Sequence, residues 1–242
     1  MSLKKLLDKL IENNCHDFNL WIDTINKYLN SMYSDMDLAS DEFWKVMVNC
    51  VNSFSKIAEI CFAYGKFKDK WEYSHFHQNL YGPELLIKSL KTQCDYKLGL
   101  DDKGIYLSTD LRHNENLRYM SDDFWKLLLT LSDFEGFLYE EYEFVRDERR
   151  KEFPELFNTN KSMIFRIIRK YIFDSTETNN RYLSYSVGEF KIFWSVDNDF
   201  EQIVRKCCLA FKIMYKLNYD LWKISDLKTK KTFANTQYSK KR

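Results

Sequence analysis

Ser40-Asp41-Glu42-Phe43-Trp44-Lys45 returns later in the chain as Ser121-Asp122-Asp123-Phe124-Trp125-Lys126, and each copy opens a long apolar-periodic segment. A looser echo, Asp197-Asn198-Asp199-Phe200, opens a third. A serine or aspartate followed by acids and then an aromatic is the chemistry of a helix start. The hydroxyl or carboxylate accepts from orphan amides of the first turn, and the acids face the positive end of the helix dipole. The phrase therefore speaks of architecture, and its return suggests an internal repetition.

Behind Ser40, residues Phe43, Val46, Met47, Cys50, Val51, Phe54, Ile57, Ala58, Cys61 and Phe62 share one helical stripe, with Gly65 as a stop. Upstream, Leu3, Leu6, Leu7, Leu10 and Ile11 predict one helix. Phe18, Trp21, Ile22, Ile25, Tyr28, Leu29 and Met32 predict another beyond a break at Asn13-Asn14. Gly82-Pro83 is read as the start of a short helix, with Pro83 near its first position. Tyr96, Leu98 and Leu100 face Ile105 and Leu107 across Asp101-Asp102-Lys103-Gly104, a hairpin signature.

A connector from Arg112 to Arg118 leads to Ser121 and a second long helix striped by Phe124, Leu127, Leu128, Leu131, Phe134, Leu138, Tyr142 and Val145. The order then repeats. Met163 to Phe173 reads as a helix, and Arg181–Tyr185 with Phe190–Val196 as a hairpin about Val187-Gly188-Glu189. A third long helix, capped by Asp197 or Asn198, runs through Phe200, Cys207, Phe211 and Met214 to Trp222. The expected fold is a predominantly helical α+β protein. N-terminal helices (1–80) precede two helix–β-hairpin–long-helix units (81–227), and a basic flexible tail (228–242) follows.

Composition narrows the function classes. The 242 residues carry a net charge of +1, with 45% hydrophobic and 30% charged residues, the balance of an ordinary globular protein. There is no global field to draw the chain onto nucleic acid or an anionic membrane. No apolar run approaches the roughly 20 residues of a bilayer span, and charges in every turn of the first ten residues argue against a secretion signal. A cytoplasmic location without membrane contact is the expectation. Cys50, Cys61, Cys207 and Cys208 lie in apolar helical patterns and, with Cys15 and Cys94, show no C-x-x-C, so they read as free thiols of a reducing compartment. Aromatics at 17% are read chiefly as core residues, since they fall at core spacing.

Six scattered glycines permit neither a dinucleotide-binding nor a P-loop phosphate cradle, and no cofactor is expected. His75-Phe76-His77 is the best metal hint. In an extended segment both imidazoles share a face, and Cys61, Glu84, Cys94 or Asp95 could complete a tetrahedral set, although an ordinary polar loop satisfies the pattern. Arg112-His113 differs from the motif of the helical HEPN ribonucleases, whose His follows several positions after the Arg. The pair still offers a cation and a general acid–base for a phosphodiester. Asp174 with Glu189 and Lys191 matches the D…E-x-K pattern of restriction-type nucleases, where acids hold Mg²⁺ and the lysine supports the attacking water. A surface loop and an exposed Glu–Lys pair are the plainer readings of these two sets.

Arg146, Arg149 and Arg150 end a mixed-charge helix. Lys228, Lys230 and Lys231 begin a tail with no acid, in which Tyr238 is a candidate stacking residue. These six cations are the candidate binding residues. The functional expectation is a non-catalytic protein that binds a macromolecular partner, as inhibitor or adaptor. The alternative is a nuclease or nucleic-acid-binding protein acting through Arg112/His113, or Asp174/Glu189/Lys191, and the basic tail.

Overall fold

The computed structural model describes residues 2–32, 34, 37, 40–79, 82–101, 103–140, 163–164, 167–168 and 188–239, without the side chains of 74–79 and 232–239. It is a mixed structure of helix and antiparallel sheet in which helix predominates. The described elements are α1 (Leu3–Met32), α2 (Asp41–Gly65), β1 (Trp71–Asn79), β2 (Gly82–Ser89), β3 (Asp95–Asp101), β4 (Gly104–Asp110), a 3₁₀ helix (Asn114–Tyr119), α3 (Asp122–Ser132), β5 (Phe137–Glu140), β6 (Glu189–Trp194) and α4 (Phe200–Ser239). The strands are ordered β1-β2-β3-β4-β6-β5 in one sheet. Two compact units divide the chain: Met1–Ser108 with Ile192–Lys212, and Thr109–Lys191 with Ile213–Arg242.

In the first unit α1 is a single 30-residue helix, so the break expected at Asn13-Asn14 does not occur. Its buried residues Leu7, Ile11, Phe18, Trp21, Ile25 and Tyr28 keep one register across the asparagines, and half-buried Asn14 occupies the missing step of that stripe. The Asn14 amide donates to the Leu10 carbonyl (2.7 Å), which satisfies a side chain that would otherwise compete with the helix. Helix α2 follows the expectation closely. Ser40 has extended backbone and its Oγ accepts from the Phe43 amide (3.1 Å). At the other end Lys66, not Gly65, takes the left-handed conformation (φ 50°) and its amide returns to the Phe62 carbonyl. Gly65 serves a different purpose: a Cβ there would meet the Phe67 ring at 2.0 Å.

Helix α2 also corrects the expectation that no segment is apolar enough to span a bilayer. An 18-residue window within Asp41–Gly65 reaches a mean hydropathy of 1.2, enough by length and composition, and half of that window is buried inside the protein. What covers it is α1 and the sheet: Phe43, Met47, Cys50, Phe54, Ile57 and Cys61 are all buried.

Two further segments depart from expectation. Residues 71–79, read as loop, form strand β1, and Gly82-Pro83 opens strand β2 rather than a helix. These strands pair antiparallel from Trp71↔Ser89 to Asn79↔Gly82, with a bulge between Ser74 and His77. β2 in turn pairs with β3, Glu84 opposite Gly99. Pro83 is tolerated as the second residue of its strand, where a lost donor is cheapest. The β3–β4 hairpin is as expected. Gly104 supplies its turn with φ +123°, and a Cβ there would lie 2.3 Å from the Trp194 carbonyl oxygen of β6, so both conformation and space demand glycine.

The core of this unit centres on Phe211 of α4. Its ring lies 5.5 Å from Phe62, 5.7 Å from Phe67, 5.6 Å from Trp71 and 4.8 Å from Tyr96, while Phe62 and Trp71 stack at 4.3 Å. One turn earlier, the Cys61 sulfur lies 3.7 Å from that of Cys207 and 3.6 Å from that of Cys208. All six cysteines are free, and only Cys15 is exposed. Burial pushes the Cys50 thiol up to about 12, and Cys61 well above its ordinary value, with the neighbouring thiols adding to the effect.

In the second unit the long helix expected after Ser121 is short. α3 ends at Ser132; the chain turns through Gly136 (φ +76°) and continues as strand β5, which removes Phe134 and Leu138 from the helical stripe. The phrase that opens it is also not equivalent to the first copy, because Ser121 makes no side-chain cap bond. The three phrase-led helices are 25, 11 and 40 residues long. The first expected helix–hairpin–helix unit begins with a strand, and so the expected repeat is not reproduced. β6 forms where the second hairpin was expected, but its neighbours in the sheet are β4 and β5, and residues 181–187 lie outside the described residues. Of the helix expected at Met163–Phe173, the described residues are helical, with Met163 and Ile167 buried. The third long helix is present as α4, capped not by Asp197 or Asn198 but by Asp199, whose Oδ1 accepts from the Glu201 amide (3.1 Å). It continues to Ser239, so residues 228–239, expected as a frayed tail, have helical backbone.

Two measurements check this account. Ellman's reagent should modify one thiol rapidly in the native protein, Cys15, and all six in urea; rapid native reaction of three or more would contradict the buried cluster. Ser40→Ala should cost about 1 kcal/mol of stability, and Ser121→Ala only a few tenths, as read from urea-unfolding midpoints.

Candidate functional site

Among the described residues, a cluster of mutually hydrogen-bonded polar side chains lies in the second unit, where the 3₁₀ helix meets α4. Local chemistry positions them. β4 ends at Asp110, and His113 turns the chain by adopting the left-handed conformation (φ 61°, ψ 34°), a state histidine reaches at some cost. Asn114 then starts the 3₁₀ turn, and Leu117 buries its side chain.

Asn116 is fully buried. Its amide nitrogen donates to the Leu221 carbonyl (3.0 Å), to Ser225 Oγ (2.7 Å) and to Glu115 Oε1 (3.2 Å), while its Oδ1 accepts from Lys228 Nζ (2.6 Å). Ser225 Oγ donates to Glu115 Oε1 (3.1 Å) and stands 3.4 Å from His113 Nδ1. Two turns before Ser225 on α4, buried Asn218 accepts from the Arg112 backbone amide (3.2 Å) and donates to Thr109 Oγ1 (3.2 Å) and the Asp110 carbonyl (3.0 Å). Outside this network, Tyr119 is 48% exposed. Arg118 lies over its ring at 4.7 Å from the centroid and Lys228 at 4.6 Å.

Ser225, His113 and Glu115 include the residue types of a hydrolytic triad, but their order is wrong for one. Glu115 Oε1 reaches the same ring nitrogen, His113 Nδ1 (3.9 Å), that faces Ser225. A relay needs the carboxylate on the opposite nitrogen, where it orients the ring and stabilises the imidazolium. Here one carboxylate oxygen gathers serine, asparagine and histidine together, and the arrangement ties a 3₁₀ helix to its neighbour.

The sequence-derived candidates fall into place as follows. Arg112 enters the cluster through its backbone amide, and His113 through Nδ1, so the two are positioned by the turn and by α4. Glu189 and Lys191 share one half-buried face of β6, with Phe190, Ile192 and Trp194 buried on the other. Asp174 lies outside the described residues, as do Arg146, Arg149 and Arg150. His75 and His77 lie on β1 around its bulge, His77 paired in register with Glu84. Glu84 is engaged otherwise, accepting from Tyr106 Oη (2.5 Å), and Cys61 lies among the other thiols. Among the described residues no group of three metal-ligating side chains converges. Lys228 belongs to the cluster. Lys230 pairs with Asp226 (2.7 Å), and Lys231 is exposed.

Sequence reasoning did not single out Asn116, Tyr119, Arg118, Asn218 or Ser225. The nearest signal was the acid-free run after Asp226, which marks the basic end of α4. Comparisons with protein families, with curated proteins and with solved structures find no match to this chain.

Asn116→Ala should destabilise the protein by about 2–3 kcal/mol, since it strips partners from a buried network. His113→Gly should leave stability unchanged or raise it, by relieving the left-handed conformation. Thermal unfolding of the two variants checks this; equal losses would mean that His113 contributes as much to the network as Asn116.

Proposed function

We propose that this chain is a non-catalytic protein that binds a protein partner, in the manner of an inhibitor or adaptor. The observation that carries the reading is Trp44. Most of the aromatic supply is internal, and the exposed large aromatics among the described residues are Trp44 and Tyr119. Trp44 is 46% exposed on the first turns of α2, beside an open depression that it lines with Asp41, Lys45, Val48 and Asn49. A tryptophan with an aliphatic neighbour, rimmed by an acid, a lysine and an amide, has the composition of an interface anchor: a large apolar face to desolvate and a polar border to set orientation. The phrase that caps α2 also presents this ring, with Phe43 turned into the core and Trp44 outwards.

The nuclease alternative draws no support from the geometry. Arg112 and His113 serve the turn, and the acid that would complete the second set lies outside the described residues.

The test is capture of partners from host lysate by the tagged chain, with RNase- and DNase-treated controls, beside Trp44→Ala. A stoichiometric protein that survives nuclease treatment and is lost with Trp44→Ala is the expected result. Its retention by the variant would remove this surface from consideration.

A further inference from the structure

We infer that Arg118, Tyr119, Lys228 and Lys231 form a binding surface for the phosphodiester backbone of single-stranded nucleic acid. The inference is independent of the Trp44 reading, since the residues and the unit differ.

Arg118 and Lys228 come from opposite ends of the sequence of this unit, yet both ride on the ring of Tyr119 at 4.7 and 4.6 Å. Their charges can be no farther apart than the sum of those distances, a span that neighbouring phosphates of one strand can bridge. Holding two cations over one aromatic ring concentrates positive charge on a chain whose net charge is only +1. Arg118 is exposed and makes no ion pair among the described residues.

The surface is also pre-organised. Lys228 Nζ donates to Asn116 Oδ1, and Asn116 is fixed by three further hydrogen bonds inside the protein. That anchor is a neutral carbonyl, so the bond sets the position of the ammonium without cancelling its charge. Lys231 lies three residues further along α4, on the same helix side. No acid occurs after Asp226, while Lys228, Lys230, Lys231, Lys240, Lys241 and Arg242 follow. The exposed phenol of Tyr119 adds a donor of the kind that commonly contacts phosphate oxygens. With two guanidinium or ammonium groups on a ring and a third one turn away, the surface suits a flexible strand that can follow it.

The chain would be titrated into fluorescein-labelled U20 and dT20 in 50 mM and 200 mM KCl, followed by fluorescence anisotropy. Arg118→Ala, Lys228→Ala and the triple variant with Lys231→Ala would be run beside the wild type. Each lost phosphate contact should lower the slope of log K against log salt by about 0.7, which amounts to about eightfold in affinity at 50 mM. Arg118→Ala keeps the test decisive if Lys228→Ala disturbs the fold, which thermal unfolding reports, because the Arg118 side chain makes no hydrogen bond among the described residues. Three results would overturn the inference: no binding of either strand at 50 mM, wild-type affinity in the triple variant, or equally tight binding of a labelled (Glu)20 peptide. The last would assign the surface to an acidic protein segment.

Discussion

The first unit depends on one ring. Phe211 is 1% exposed and touches aromatic side chains from α2, from the link after it, from β1 and from β3. Aromatic pairs at these separations contribute about 0.5–1.5 kcal/mol each beyond the area they bury. No local hydrogen bond could hold together elements so separated in sequence. The neighbouring features fit around this centre: Gly65 leaves room for Phe67, and the three thiols of Cys61, Cys207 and Cys208 fill the next turn of α4 as small apolar groups. The raised pKa of Cys61 follows from the same burial, which disfavours the thiolate.

How much of this was legible in the sequence follows from where each signal resides. The cap of α2 and its stripe were readable because the relevant atoms are three or four residues apart. The β3–β4 hairpin was readable from its turn residues. β2 was not, because it is covered on both faces over Gly82–Leu85 and so lacks the alternation that marks a half-exposed strand. The continuity of α1 was in fact written in the spacing 7, 11, 14, 18, 21, 25, 28, but two adjacent asparagines suggested a break that the Asn14–Leu10 bond makes unnecessary. The Ser121 phrase misled for the converse reason. Its periodicity runs on past Ser132, and only Gly136 in the left-handed region redirects the chain into β5.

The polar cluster was beyond sequence reasoning on other grounds. Asn116 and Ser225 are 109 residues apart, and nothing local to either announces the other. The sequence did direct attention to His113 and Lys228, through their residue types, and both prove to belong to the cluster. What it could not supply is the order of contacts. Whether a histidine beside a serine and a glutamate is a catalytic base or a brace depends on which ring nitrogen each partner takes, and here both take Nδ1.

That geometry also separates the inner and outer faces of the cluster. Inside, short contacts among an amide, a hydroxyl, a carboxylate, an imidazole and a backbone carbonyl tie the 3₁₀ helix to α4. Outside, the same Asn116 hands its remaining acceptor to Lys228, whose ammonium then rests over Tyr119. A lysine on an exposed helix ordinarily samples many rotamers, and ordering it on binding carries an entropic cost. Fixing it beforehand by a buried, neutral acceptor removes part of that cost and leaves the positive charge uncancelled by the anchor. A carboxylate in place of Asn116 would hold the lysine more strongly and weaken its attraction for any anion. The choice of an amide is what makes a structural network compatible with an electropositive surface.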